Sequence, residues 1–155
     1  KDVKELQRIV AALKSAKDNY WATEVEVQRL GAAAWIAYAK GNPDEALPLM
    51  RSAADMEDQS EKSAVTPGRV LPARELLGEM LLQSNRPAEA LEAFETSEKH
   101  DPNRFRGVYG AAKAAALAGD RTKAKNYFEK LLALAKNADT ERPEIKEARA
   151  SLTNK

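Results

Sequence analysis

Apolar residues return every three or four positions along most of this chain, and the interruptions between the runs are short and polar. That period places one face of each run toward a core and the other toward water, as on a helix. Eight helical segments follow from it. The first covers about 3–17, with Val3, Leu6, Ile9, Val10 and Leu13 on one stripe and Asp2 as its expected N-cap. The second covers about 20–40 and stops at Gly41; the third starts at Pro43-Asp44-Glu45, carries Ala46, Leu47, Met50, Ala53 and Ala54, and completes a hairpin. A polar stretch from Gln59 to Arg69 contains Thr66-Pro67-Gly68, which argues for a loop. Beyond it the pattern predicts helices over 72–84, 87–100, 104–118 and 121–136, and a weaker one over 143–152 built on Ile145, Ala148 and Leu152. The polar outer face of that last segment suits a cap on a helical stack.

Three breaks between helices share one pattern: Gly41-Asn42-Pro43-Asp44-Glu45-Ala46-Leu47, Asn85-Arg86-Pro87-Ala88-Glu89-Ala90-Leu91 and Gly119-Asp120-Arg121-Thr122-Lys123-Ala124-Lys125. Ala90 follows Ala46 by 44 positions and Ala124 follows Ala90 by 34, and 34 is the period of the tetratricopeptide repeat. The ten extra residues of the first interval correspond to the Gln59–Arg69 loop. With Leu77-Gly78 ahead of Ala90-x3-Phe94 and Pro102, and with Ala124-x3-Phe128 and Ala46-x3-Met50 repeating the spacing, the sequence resembles the tetratricopeptide repeat family over about 27–136. Departures from the family pattern are Leu30, Arg74 and Val108 at the usual tryptophan position, Ala34 and Ala112 at the glycine position, and a single closing proline. The run from Asp18-Asn19-Tyr20-Trp21 through Thr66-Pro67-Gly68, Pro72-Ala73-Arg74-Glu75-Leu76 and Pro102-Asn103-Arg104-Phe105 also resembles the C-terminal part of longer bacterial repeat proteins of unassigned function, so the chain reads as a fragment that opens within a helical pattern.

The resemblance implies an all-α fold, a right-handed α-solenoid of about three helical hairpins with an extra N-terminal helix and a C-terminal capping helix. It also implies a single domain, 1–155, divided into an N-terminal helix (1–18), repeat 1 (20–58), a loop (59–71), repeat 2 (72–102), repeat 3 (103–137) and a capping helix (143–153). Small residues at the alanine and glycine positions let paired helices approach, and the large residue four positions later fills the gap to the next repeat. The family lines a concave groove with the first helix of each pair. Carried over position by position, that groove would present Gln28, Trp35 and Tyr38, then Glu75 and Glu79, then Arg106, Tyr109 and Lys113, a surface for a protein or peptide segment. For Trp35 and Tyr38 partial burial in the core is the competing role, and for the four-apart pairs Glu75/Glu79 and Tyr109/Lys113 it is an ordinary solvated face. Arg74 and Arg106 are candidates for structural ion pairs. Members that grip a C-terminal carboxylate do so with lysine, asparagine and arginine at positions that here hold Gly31, Trp35, Leu76, Arg106 and Gly110, so that clamp is not expected.

Composition narrows the remaining chemistry. There are 29 alanines against 16 valines, isoleucines and threonines together, a balance that favours helix over strand. The 25 basic and 24 acidic side chains sum to +1, which offers no general attraction for nucleic acid or an anionic membrane. Charge is uneven along the chain, with a local −4 over 41–66 and +5 over 105–155; ordinary solvated helix faces account for this, the functional readings being orientation of a partner or head-to-tail homo-oligomerisation through these segments, the structural alternative to peptide binding. No apolar run approaches the roughly 20 residues of a membrane span, no basic-then-apolar leader opens the sequence as given, and both cytoplasmic and exported locations stay open. Without cysteine, with His100 alone beside Asp101 at a helix end, and without a phosphate loop or serine elbow, an enzyme is not expected, nor a cofactor or metal site. Asp55, Glu57, Asp58 and Glu61 form an acidic cluster that lacks the spacing of a calcium loop.

Overall fold

The computed structural model describes residues 2–60 and 69–153. Its helices are α1 (Asp2–Ser15), α2 (Asn19–Ala39), α3 (Pro43–Gln59), α4 (Ala73–Gln83), α5 (Pro87–His100), α6 (Phe105–Leu117), α7 (Arg121–Leu134) and α8 (Pro143–Thr153). Among the described residues there is no strand. Thr66-Pro67-Gly68 and Glu61 lie outside the described residues. Asp2 is the first residue of α1 and not the cap before it, so its carboxylate stands in the first turn, where the helix dipole favours a negative charge.

The turns show why the repeated motif ends its helices. Gly41, Asn85 and Gly119 have φ of +80°, +56° and +83°, the left-handed conformation that glycine and asparagine adopt most readily. In each turn the following residue folds back: Asn42 N donates to Ala37 O (3.0 Å), Arg86 N to Leu81 O (2.9 Å) and Asp120 N to Ala115 O (2.9 Å). These bonds satisfy carbonyls that a helix end would leave open. The α1–α2 turn repeats the geometry with Lys17 at φ +59° and Asp18 N donating to Leu13 O (3.0 Å). The next helices start on Pro43 and Pro87 at N1, or under side-chain caps, Asp18 accepting from Trp21 N (3.3 Å) and Asp120 from Lys123 N (2.9 Å).

The chain forms two compact units, residues 1–77 and 78–155. In the first, α2 packs against both α1 and α3. Its core joins Val10, Val27, Leu30, Ala34, Met50 and Ala54. The alanines are fully covered, which is the close helix approach that small residues allow. The start of α4 is tied to α3 in this unit by charge. Ala73 N donates to the Glu57 carboxylate (2.6 Å), and Arg74 bonds Asp58 (2.9 Å) and Asp55 (2.7 Å).

In the second unit α6 packs against α5 and α7, and α8 against α7. Phe94 of α5, 1% exposed, lies between Gly78 of α4 and Gly110 of α6. A methyl group on Gly78 would stand 2.7 Å from the ring, and one on Gly110 closer still. Gly78 occupies the family's glycine position; Gly110, two residues before Ala112, does the same work from the next helix. Outside this core, α7 is laced to α5 by Lys123 to Glu95 (2.7 Å), by the Tyr127 hydroxyl donating to Glu95 (3.2 Å) and by a Lys130–Glu98 pair.

Candidate binding surface

Each sequence-derived surface residue has a definite place within its own unit. On α2, Gln28 is exposed while Trp35 and Tyr38 are half-buried, their rings edge to face at 5.7 Å between centroids. Neither ring is fully buried or fully exposed. Gly31, one turn before Trp35, is buried, yet a methyl added there would meet nothing within 4 Å. Ile36 on the same helix is 47% exposed.

Glu75 departs from expectation. It is fully buried, between Pro72-Ala73 and Leu77, which are themselves buried in the first unit. The 11-residue α4 directs its first turn into the protein, so this carboxylate belongs to the interior and does not project as a surface group. The acidic cluster is likewise structural. Asp55 and Asp58 hold Arg74, and Arg69 binds Glu57 (3.6 Å), its main-chain carbonyl and the Ser60 hydroxyl (3.1 Å). Ser60 in turn donates to Glu24 (3.1 Å). Burial raises the Glu57 carboxyl above the ordinary carboxylate range, a rise opposed by the Ala73 N–H and by Arg69. Among the described residues no group of three acidic or histidine side chains is placed to hold a metal ion.

The second unit brings four of the named residues together. Arg106 makes a two-pronged bond to Glu79, with Nη2 donating to Oε2 at 2.6 Å, which joins α6 to α4. One turn on, the Tyr109 hydroxyl donates to Glu147 of α8 (2.6 Å). Burial, then the bond and charge of Glu147, push this phenol well above its ordinary range, so it stays a neutral donor. Lys113, a further turn along, is exposed with Nζ 5.9 Å from the centre of the Tyr109 ring. The row continues to Leu117, 61% exposed. The opposite side of α6 is Ala111, Ala112, Ala114 and Ala115, all buried. Neither Leu117 nor Glu147 stands out in the sequence, where the i, i+4, i+8 spacing of Tyr109, Lys113 and Leu117 is the signal for the first. His100 ends α5 beside Lys99, in the last turn where a basic group suits the helix dipole.

The tetratricopeptide repeat family model matches residues 32–104 and 75–139. No curated protein sequence matches the chain. Among solved structures, PcrH from Pseudomonas aeruginosa superposes with a TM-score of 0.61 at 20% identity, over 82% of this chain and 89% of that one, a likeness of fold. Repeats of this kind serve generally as protein-binding scaffolds and are generally non-catalytic. With three matching turns, the alanine-to-phenylalanine spacing in place around Phe94, and the family model spanning 32–139, the chain belongs to the tetratricopeptide repeat family.

Proposed function

We propose that this protein is a noncatalytic scaffold that binds peptide segments of partner proteins, with the outward face of α2 in the first unit and that of α6 in the second, each the first helix of a hairpin, serving as a contact surface in its own right. The observation that carries this reading is the division of labour across α6. Its packing is done by alanine, glycine and Val108, while Arg106, Tyr109 and Lys113 stand on the other side. Arg106 and the Tyr109 hydroxyl are held by Glu79 and Glu147, and Lys113 stands exposed beside them, available for contact. Gln28 and Trp35 stand 78 positions before Arg106 and Lys113, the sum of the two repeat intervals, so α2 offers the equivalent face with different chemistry. The aromatic pair on α2 and, separately, the Tyr109–Lys113 row on α6 each suit an extended or helical segment held by a few anchors.

The test is selection of an unbiased displayed peptide library on the intact chain and on a Trp35→Ala/Lys113→Glu variant whose melting is confirmed to be cooperative. Peptides enriched on the wild type and lost on the variant support the reading. Equal enrichment on both, or none on either, removes it.

A further inference from the structure

Charge on the α4–α6–α8 face of the second unit is distributed unequally between satisfied and available groups. Arg106 already holds both oxygens of Glu79, and Glu147 accepts from the Tyr109 hydroxyl. Lys113 is different: its ammonium lies over the Tyr109 ring, and among the described residues no carboxylate is within ion-pair distance. One helical turn beyond it, Leu117 presents a large aliphatic side chain to water, next to the exposed Ala116 and Ala118. A cation over an aromatic ring gains little when hydrated and more when a partner covers it. An exposed leucine at the same end of the row gains by the same covering.

We propose that the row Tyr109–Lys113–Leu117 recognises an acidic–x–aliphatic segment of a partner protein, an internal Asp or Glu side chain on Lys113 and a Leu, Ile or Met two residues away on Leu117. This rests on the peptide-binding reading above and specifies its chemistry. Charge complementarity selects the first residue, because a ligand carboxylate meets a cation, Lys113, that no carboxylate among the described residues engages. A ligand lysine would meet repulsion there. Spacing selects the second. Lys113 and Leu117 are separated by four helical residues, roughly 6 Å along the axis, and alternate residues of an extended chain are separated by about 6.6 Å on one face. The contact is with a side chain, and its single available cation distinguishes it from a terminal-carboxylate clamp, which uses several groups at once.

The probes are three ten-residue peptides with acetylated and amidated ends, so that no terminal carboxylate is present, centred on Glu-Ser-Leu, Lys-Ser-Leu and Glu-Ser-Ser. Fluorescence polarisation with the intact chain is expected to give affinity at least tenfold tighter for Glu-Ser-Leu than for either analogue, weakening as salt rises. Lys113→Glu, at an exposed position, should invert the preference between the first two peptides. Leu117→Ser should remove the preference between the first and third. Equal binding of all three by the wild type, or an unchanged preference in Lys113→Glu, overturns this proposal. If library selection still yields peptides sensitive to the Trp35→Ala/Lys113→Glu variant, the scaffold reading survives that result. Failure of the three probes and of the library together removes both.

Discussion

At Gly110 and Gly78 the missing side chain is what admits the Phe94 ring, whereas at Gly31 nothing occupies the space a side chain would take. The three positions therefore respond oppositely to alanine. Gly31→Ala removes the conformational cost of glycine in a helix interior and meets no neighbour, so it should raise stability by about 0.5–1 kcal/mol. Gly110→Ala gains the same propensity but drives a methyl into a ring that cannot move aside, and the overpacking should leave a net loss of about 1–3 kcal/mol. Urea denaturation of the two variants checks the pair, and a loss at Gly31 as large as at Gly110 would contradict the open space. Phe94 and Gly78 were legible in sequence from the repeat spacing. Gly110 was not, because the aligned glycine position of that unit is Ala112, and only the packed ring shows that two positions earlier matters more. Glu75 misled for a related reason. A helical period assigns a residue to a face, but which face is covered depends on what packs there.

Among the elements, the turns were the most legible and the start of α4 the least. Gly41, Asn85 and Gly119 announce a left-handed turn by residue type, while Lys17 adopts the same backbone with a side chain that resists it. Lys17→Gly should stabilise the protein by up to about 1 kcal/mol, since the relief of strain outweighs the added freedom of the unfolded chain. Thermal melting of that variant is the check, and unchanged or lower stability would oppose it. For α4 the cap comes from Glu57, 16 residues upstream on another helix, and a search for caps adjacent to the helix cannot find it. Glu57→Ala leaves the Ala73 N–H unmet and should cost about 1–3 kcal/mol. Glu57→Gln keeps an acceptor for that N–H. Because burial already disfavours the charged form, this variant should retain most of the stability at neutral pH, where the two are compared by denaturant melts.

For the molecule as a whole, the charge polarity read along the sequence is met in part inside each unit. The acidic stretch 41–66 is met by Arg69 and Arg74, and the basic stretch 105–155 sends Arg106, Lys123 and Lys130 to Glu79, Glu95 and Glu98. Counting charges in a window misses these pairs because they join residues 12 to 32 positions apart. The phenols of the second unit carry a further whole-protein consequence. Burial and then Glu95 push Tyr127 from its ordinary value of 10 up to about 12, and Tyr109 moves the same way. A proton held more tightly in the fold than in the unfolded chain adds stability that is complete below pH 10 and lost as pH rises to about 12. Denaturant melts between pH 9 and 12 should show this decline, and Tyr127→Phe should make it shallower; an equally steep decline would sink the assignment.

The arginine bonds on the far side of the 61–68 segment have one more implication. Ser60 and Arg69 are fastened to one another and to Glu57, so the two ends of the inserted stretch are clamped by side chains whatever lies between them. Lengthening a segment whose ends are already held together adds only slowly to its entropic cost. This is therefore a natural insertion port: foreign sequence spliced between Ser60 and Arg69 should leave the start of α4 in register, which makes the site suitable for a tag or a second recognition element.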